Sequence, residues 1–178
     1  MAAGSHRSLH VAAAQIHSGG SVEENILRIE RQTRIASLVG AQVILFAEGA
    51  IHGYDYGMTK DSVLARAESV DGPDAMHVST IAQELGLVIV AGMFEKTPDA
   101  LYNSMLIAWP DGSRQTARKH QLTKIETTAG LVPGDPQRTI IEVNGVRLAI
   151  VICADVAIPG LHEDLIARQC DLKLCPTG

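Results

Sequence analysis

The chain has 178 residues, of which 46% are hydrophobic and only 3% aromatic, and its formal net charge is −5. This length suits one domain with a sizeable, mainly aliphatic core. The acidic balance provides no basic patch for nucleic acid. No apolar stretch is long enough to span a bilayer and no basic amphipathic helix is evident, so we expect neither a nucleic-acid nor a membrane partner.

The N-terminal segment and the cysteines indicate where the protein works. Residues 1–8, MAAGSHRS, lack the apolar stretch of a signal peptide. We treat them as a disordered or tag-like terminus ahead of a domain at 9–178. The three cysteines cannot all pair, so we expect reduced thiols in the cytoplasm. No Cys or His spacing is typical of zinc, and we predict no metal and no cofactor.

Strand and helix patterns alternate in the first half of the chain. Residues 9–16 form a short apolar run that predicts a strand. Ser21 and Glu24 have the spacing of a capping box, which predicts a helix from this point to about Gly40. The stretch 41–48 contains five consecutive apolar residues and closes on a carboxylate. That pattern is typical of a strand buried on both faces.

The next part of the chain adds a helix, a strand and a hairpin. A helix is predicted to begin near Pro73, and a second buried strand follows at 87–96. The stretch 101–121 predicts a hairpin that turns at a Pro-Asp-Gly sequence. Residues 122–137, rich in glycine and proline, are predicted to form a loop.

The C-terminal part contains a second hairpin, and it completes the fold prediction. Residues 139–153 contain Asn144-Gly145, which suits a type I′ turn. A helix with Pro159 in its first turn and a strand at 171–176 follow. Helices alternating with strands, interrupted by hairpins, favour an α/β domain with mixed sheets. Because no residues remain to flank the last strand, we expect the domain to lack its C-terminal part.

Three residues able to do chemistry follow predicted strands: Glu48, Lys119 and Cys153. Open α/β sheets collect their ligand sites at the C-terminal ends of the strands. A cysteine nucleophile needs a base, which can be a carboxylate. The attacked carbon needs electropositive groups to hold the developing charge, and Lys119 and the backbone N–H of Ala154 are candidates. The alternative is that Cys153 is an inert core residue, since free cysteine is often buried.

Four motifs in collinear order are similar to those of one known family. They are LFAEGAIHGY around Glu48, LYNSMLIAWPDG before the lysine, ARKHQL around Lys119 and ICADVAIP around Cys153. Together they resemble the nitrilase, or carbon–nitrogen hydrolase, superfamily over residues 9–178. This resemblance implies that the three residues form a Glu–Lys–Cys triad.

The resemblance also implies a fold, partners and two further site residues. The family fold is an α-β-β-α sandwich of mixed sheets, usually paired into homodimers, and it continues past the end of this chain. Glu126 is the nearest match to a second glutamate that positions the lysine or the substrate. Tyr54, at the family's usual offset after Glu48, is the candidate substrate-binding residue. We therefore expect a homo-oligomer, a dimer or higher, that acts on a small molecule.

The sequence thus predicts a thiol hydrolase that cleaves the non-peptide carbon–nitrogen bond of a small amide through a Cys thioester. Nitrile hydrolysis, N-carbamoyl amide cleavage and acyl transfer stay open within the superfamily, as does a non-catalytic fragment that needs a partner. His52 and His120 adjoin the glutamate and lysine motifs, but no pattern orients either as the base of a Cys–His protease. For Cys170 and Cys175 we expect core packing.

Overall fold

The structure, a computed structural model, describes residues 8–178, so the prediction for 1–8 lies outside the described residues except at Ser8. Within this range the strands are β1 (Val11–Ala14), β2 (Val43–Phe46), β3 (Val88–Lys96), β4 (Leu101–Ala108), β5 (Arg114–Arg118), β6 (Ile140–Val143), β7 (Val146–Ile150) and β8 (Leu172–Leu174). The α-helices are α1 (Val22–Leu38), α2 (Lys60–Leu64), α3 (Pro73–Leu85), α4 (Lys124–Thr128) and α5 (Leu161–Ala167), and a 3₁₀ helix spans Cys153–Ala157. None of these helices is both long and apolar enough to cross a membrane.

The strands form two sheets, and both are mixed. The first has five strands in the order β1-β2-β3-β4-β5. Its first three strands run parallel, whereas the β3–β4 and β4–β5 pairs are antiparallel. The second sheet has the order β6-β7-β8, an antiparallel hairpin followed by a parallel pair. The two hairpins predicted from the sequence are therefore what makes the sheets mixed.

The sheets pack face to face with helices on both outer sides, so the predicted α-β-β-α sandwich is confirmed. Side chains alternate between the two faces of each strand. In β2, Ile44 and Phe46 pack against α1 and α3, whereas Val43 belongs to the layer between the sheets. On the other side, α5 covers the second sheet through Leu161 and Leu165.

Local sequence signals account for the long helices and for the second hairpin. Ser21 accepts the N–H of Glu24 and the Glu24 side chain accepts the N–H of Ser21, so the capping box at the start of α1 is confirmed. Pro73 occupies the first turn of α3, as predicted. Asn144 and Gly145 have φ values of 51° and 75°, as a type I′ turn requires.

Two local predictions are wrong, and one short helix was not predicted. The helix α4 lies inside the stretch predicted as a loop, and no helix was predicted at α2. Each has only five residues, too few for an apolar periodicity to show. Pro159 lies before α5 rather than in its first turn, because the N-cap is Gly160 with a left-handed φ of 75°.

Candidate active site

Glu48 lies in the turn after β2, where the chain crosses over the neighbouring strand β3. The crossing is close, since a Cβ on Gly92 of β3 would lie 2.1 Å from the Gly49 nitrogen and 2.6 Å from the Ala47 oxygen. Only glycine leaves room for it. The Ile51 N–H donates to the Gly92 carbonyl at 2.8 Å and fixes the turn. Glu48 is only 1% exposed, so this crossing buries the predicted base.

Lys119 follows the last residue of β5 and is fully buried. Its N–H donates to the Asn103 carbonyl at 2.8 Å, and its carbonyl accepts the Gly134 N–H at 2.8 Å. Met105 of β4 and Ala117 of β5 face the second sheet. Alternation therefore puts Asn103 and Lys119, each two residues away, on that same inner face. A lysine buried to this extent must be paired with an acidic group.

Cys153 begins the 3₁₀ helix after β7, and its backbone is strained. Its φ is 46°, in the left-handed region that few residues other than glycine adopt. The Cys153 N–H donates to the Pro176 carbonyl at 2.9 Å, which ties the turn to the segment after β8. Such strain persists only when the surrounding structure holds it, and it is typical of functional turns.

The thiol of Cys153 lies beside Glu48. Burial raises the pKa of this thiol, and the charge of Glu48 and a hydrogen bond to it raise the pKa further. The charge of Lys119 and a hydrogen bond from the Ala154 N–H act in the opposite direction. Because the pKa is raised overall, the thiol is protonated near neutral pH and needs a base when it attacks. The Ala154 N–H, the predicted oxyanion donor, therefore lies next to the thiol.

Four buried side chains form a closed ring of hydrogen bonds. Lys119 Nζ donates to Glu48 Oε1 at 2.7 Å and to Glu126 Oε1 at 2.9 Å. Asn103 Nδ2 donates to the same two oxygen atoms, to Glu48 at 2.7 Å and to Glu126 in a short contact. Each of the four residues is at most 1% exposed. Donors and carboxylate oxygens therefore alternate around the ring.

The ring sets the ionisation of two of its members. Burial alone would lower the pKa of Lys119, but the charges and hydrogen bonds of Glu48 and Glu126 raise it above the ordinary value. Burial acts to raise the pKa of Glu126, but hydrogen bonds from the Thr123 N–H, Lys119 and Asn103 outweigh it and lower that pKa. Lys119 is therefore a fixed cation, and Glu126 is a fixed anion beside it.

Glu126, the predicted second glutamate, uses its two oxygen atoms for different purposes. Oε1 faces Lys119, while Oε2 accepts the N–H of Thr123 at 2.6 Å. Thr123 is the N-cap of α4, and its hydroxyl in turn accepts the Glu126 N–H. The sequence Thr-Lys-Ile-Glu is thus a capping box. This signal could have predicted α4 and the local position of the glutamate.

Tyr54 lies at the edge of the ring. The Gly178 N–H donates to Glu48 Oε2 at 3.1 Å, and a Cβ on Gly178 would lie 3.2 Å from the Tyr54 ring. Burial raises the pKa of Tyr54 to about 12, opposed by a hydrogen bond with Thr123 and supported by nearby carboxylate charge. The structure therefore brings Tyr54 to the site, while its contact with substrate stays a prediction.

A buried aspartate connects the nucleophile turn to the lysine loop. Asp155, two residues after Cys153, is 1% exposed. Its carboxylate accepts the N–H groups of His120 at 3.1 Å and Gln121 at 2.6 Å, the two residues directly after the lysine. It also faces Arg138 Nη1 at 3.3 Å. One side chain thus fixes two parts of the site, a role that sequence reasoning did not assign to Asp155.

One cluster away from the ring has the composition of a metal site. His52 Nε2 and carboxylate oxygens of Glu68 and Asp74 lie within 4.8 Å of one another. However, His52 Nδ1 accepts the Phe94 N–H at 2.9 Å, so the neutral ring carries its proton on Nε2 and has no lone pair there for a metal. Glu68 accepts the N–H groups of Asp74 and Ala75 and so caps α3. The geometry therefore fits a helix cap better than a metal centre.

The remaining histidine and cysteine predictions concern groups away from the ring. His120 Nδ1 lies 2.8 Å from the Gly134 carbonyl. The His52 side chain accepts the Phe94 N–H. The contacts of the two imidazoles, His52 and His120, therefore favour a structural role over that of a thiol base. Cys170 packs against the cluster beneath α5, as expected for core packing. Cys175 instead lines a groove between the sheets.

That groove has a volume of about 460 Å³ and lies next to the ring. Ala47, which precedes Glu48, forms part of its wall, as does Pro176, whose carbonyl binds the Cys153 N–H. No charged side chain occurs among its lining residues: Ala13, Ala14, Gln15, Leu45, Phe46, Ala47, Cys175, Pro176 and Thr177. None of Glu48, Lys119 and Cys153 lines the groove itself, so it adjoins the site without containing its reactive groups.

The fold and the clustered Glu, Lys and Cys side chains define the class of protein. The family model described as carbon–nitrogen hydrolase matches residues 10–172. The chain therefore belongs to the carbon–nitrogen hydrolase family, and the resemblance found in the four sequence motifs is confirmed.

Individual relatives share only part of this chain's sequence, and each of them is longer than this chain. A protein of Mycobacterium tuberculosis named as a hydrolase is 31% identical over 172 residues, which cover 92% of this chain and 59% of the relative. The N-carbamoylputrescine amidase of Solanum lycopersicum is 27% identical over 181 residues, which cover 97% of this chain and 59% of the relative. The solved amidase from Nesterenkonia sp. has a TM-score of 0.78 at 24% identity, over 95% of this chain and 64% of that chain. The chain thus spans 59% of the length of both curated relatives.

Proposed function

We propose that this chain carries the catalytic groups of a thiol hydrolase that cleaves the non-peptide carbon–nitrogen bond of a small amide. One observation carries the proposal: a thiol, a carboxylate and an ammonium from three separate strand ends share one buried site. The Glu48 carboxylate lies close enough to the Cys153 thiol to raise its pKa, and Glu48 Oε1 lies 2.7 Å from Lys119 Nζ. A nucleophile beside its base and a fixed cation is what acyl transfer requires.

In the first half of the reaction, Glu48 takes the thiol proton as the Cys153 sulfur attacks the amide carbon. A carbon–sulfur bond forms, and Lys119 and the Ala154 N–H hold the oxyanion that results. When the oxyanion collapses, the carbon–nitrogen bond breaks. Glu48 gives its proton to the departing nitrogen. Ammonia or an amine leaves, and the acyl group stays on Cys153 as a thioester.

In the second half, water attacks the thioester carbon and passes a proton to Glu48. The carbon–sulfur bond breaks, the carboxylic acid leaves, and the sulfur recovers the proton from Glu48. Glu126 takes no part in these transfers, because the hydrogen bonds to its carboxylate lower its pKa. Its role is to hold Lys119 in place.

The gathered groups support a small amide as the substrate, because a thiol with a base and a fixed cation suits attack on an amide carbonyl. A solved variant of the Nesterenkonia amidase carries the acetamide moiety of fluoroacetamide covalently at its active-site cysteine, so the cysteine of that relative is a nucleophile. Nitrile hydrolysis, N-carbamoyl amide cleavage and acyl transfer use the same first step and remain alternatives.

Ammonia release from propionamide, propionitrile and N-carbamoylputrescine tests this proposal. We expect the purified protein to release ammonia fastest from propionamide, and Cys153→Ala to release none. Cys170→Ala is the matched control and should keep the wild-type rate. Release at full rate by Cys153→Ala would contradict the mechanism, whereas a preference for N-carbamoylputrescine would contradict only the substrate class.

The domain at 9–178, self-association into a dimer or higher oligomer, and a cytoplasmic location are also proposals. Within the described residues, β8 pairs with β7 alone, and an open sheet edge favours association with another chain. The alternative is a non-catalytic chain that needs a different partner. Light scattering, combined with the ammonia assay, distinguishes the two hypotheses. An active homo-oligomer supports self-association, and an inactive monomer supports a non-catalytic chain that needs a different partner.

A further inference from the structure

The ring of hydrogen bonds contains one member that the proposed reaction does not use. Glu48 moves protons, Lys119 holds the oxyanion and Glu126 holds Lys119, but Asn103 is neutral and exchanges no proton. It is nevertheless 1% exposed. Its side-chain nitrogen donates to both carboxylates, Glu48 Oε1 and Glu126 Oε1. An amide group has two N–H donors, so both are used within the ring.

Two carboxylates that face one ammonium in a buried site need a second donor. Lys119 supplies one positive charge, and like charges repel strongly where water is excluded. The Asn103 amide satisfies the same two oxygen atoms as Lys119 without adding charge. The two glutamates can therefore stay close together, one on each side of the lysine.

The ring also fixes which atoms remain free for chemistry. A lysine ammonium has three N–H donors, and the ring uses two of them on Glu48 and Glu126. The third is left for an oxyanion. Glu48 Oε1 already accepts two hydrogen bonds, whereas Oε2 accepts one from the Gly178 N–H. Oε2 is therefore the oxygen that is better able to accept a proton.

Asn103 is held firmly enough to impose this geometry. It pairs with Phe94 across β3 and β4, and its carbonyl accepts the Lys119 N–H at 2.8 Å. Backbone and side chain thus both connect Asn103 to the lysine region.

We propose that Asn103 is a positioning residue: its side-chain amide closes the ring that orients Glu48 and Lys119 toward the thiol. The inference rests on the proposed function, since it assigns Asn103 a part in that reaction. It predicts that losing the amide impairs turnover while substrate binding changes little, because both N–H donors of Asn103 are used within the ring.

The first arm of the test measures whether the ring couples its members, independently of activity. Urea unfolding is compared for Asn103→Leu, Glu126→Gln and the double variant. Asn103→Leu should lower the urea midpoint less in the Glu126→Gln background than in the wild type, because the carboxylate it serves is already gone. Glu68→Gln, at the start of α3, is the control background and should give additive effects. Additive effects with Glu126→Gln as well would overturn the proposal.

The second arm measures turnover of propionamide. Asn103→Leu should lower kcat by about 100-fold, the scale of a small misplacement of catalytic groups, with little change in KM. Asn25→Leu is the matched control, since Asn25 is a buried asparagine bonded to the Ser18 and Ile51 carbonyls, and it should keep the wild-type kcat. If Asn103→Leu does not fold, Asn103→Ser, which keeps one donor, replaces it and should give an intermediate kcat.

The two arms separate failure of the inference from failure of the proposed function. Coupling with an unchanged kcat in the Asn103 variant would make the ring purely structural and overturn the inference alone. Coupling in a wild-type protein that hydrolyses no amide would overturn the proposed function, and the positioning role with it. Coupling together with a selective loss of kcat supports both.

Discussion

Cys153 combines a strained backbone with a thiol that holds its proton. Its φ of 46° lies in the left-handed region, and burial together with Glu48 raises the pKa of the thiol. Neither property helps a residue that only fills space. Both are consistent with a nucleophile that stays protonated until Glu48 takes its proton.

The strain at Cys153 predicts an unusual order of stability among its variants. Glycine adopts a left-handed φ freely, whereas alanine there costs about 1–2 kcal/mol, offset in part by the greater flexibility of unfolded glycine. We expect the free energy of unfolding in urea to be about 0.5–1 kcal/mol higher for Cys153→Gly than for Cys153→Ala. At Cys170, which has no positive φ, the order should reverse. Alanine more stable than glycine at both positions would contradict the strain.

The charge of Glu48 predicts that turnover and thiol reactivity separate in Glu48→Gln. Losing the base should lower propionamide turnover by about 10²- to 10⁴-fold. The negative charge that helps to raise the pKa of Cys153 is lost too, so alkylation by iodoacetamide near neutral pH should not slow. Peptide mapping by mass spectrometry measures the rate at which Cys153 is alkylated, with Cys170 and Cys175 as internal controls. A parallel loss of both activities would show that Glu48 also activates the thiol toward iodoacetamide, contrary to the effect expected from its charge.

At the scale of elements, the strand ends could be predicted from the sequence and the ring could not. Apolar runs that stop at Glu48 and Cys153 mark where buried strands end, because a polar or reactive side chain interrupts the apolar pattern there. Alternation along β4 and β5 would also have put Asn103 on the same face as Lys119. The contact between Asn103 and Glu48 joins residues 55 positions apart. It depends on how β2 crosses β3, which local patterns do not contain.

Asp155 connects two elements, and its removal tests how strongly they depend on one another. In Asp155→Asn the side chain can still accept backbone N–H groups but loses its charge opposite Arg138, whose side chain is 5% exposed. Breaking a buried pair of this kind costs about 3–5 kcal/mol, so the free energy of unfolding in urea should fall by about this amount. Asp164→Asn removes an exposed pair with Arg168 and should cost less than about 1 kcal/mol. Equal losses would show that the buried pair with Arg138 adds nothing beyond an exposed pair.

At the scale of the whole molecule, alkaline pH should weaken the fold at the site. The pKa of Tyr54 is raised from 10.0 to about 12 in the folded protein, so the unfolded chain ionises first as pH rises. Unfolding then releases a proton, and the free energy of unfolding falls between pH 10 and about 12. Tyr54→Phe should lose less stability over this range than the wild type.

Urea midpoints near neutral pH and at pH about 12 measure the Tyr54 effect. Tyr56→Phe is the control, because Tyr56 is 71% exposed, and it should follow the wild type. Identical pH dependence in Tyr54→Phe and the wild type would place the Tyr54 hydroxyl in contact with solvent rather than beside the ring.

The most direct test of the account is the chemical state of Cys153 during turnover. Protein mixed with propionamide is quenched in acid and digested, and its cysteine peptides are identified by mass spectrometry, with hydroxylamine added in parallel to capture the acyl group. We expect a propionyl group on Cys153 and none on Cys170 or Cys175, or propionohydroxamic acid where hydroxylamine is present. Ammonia released with neither product would contradict a thioester at Cys153.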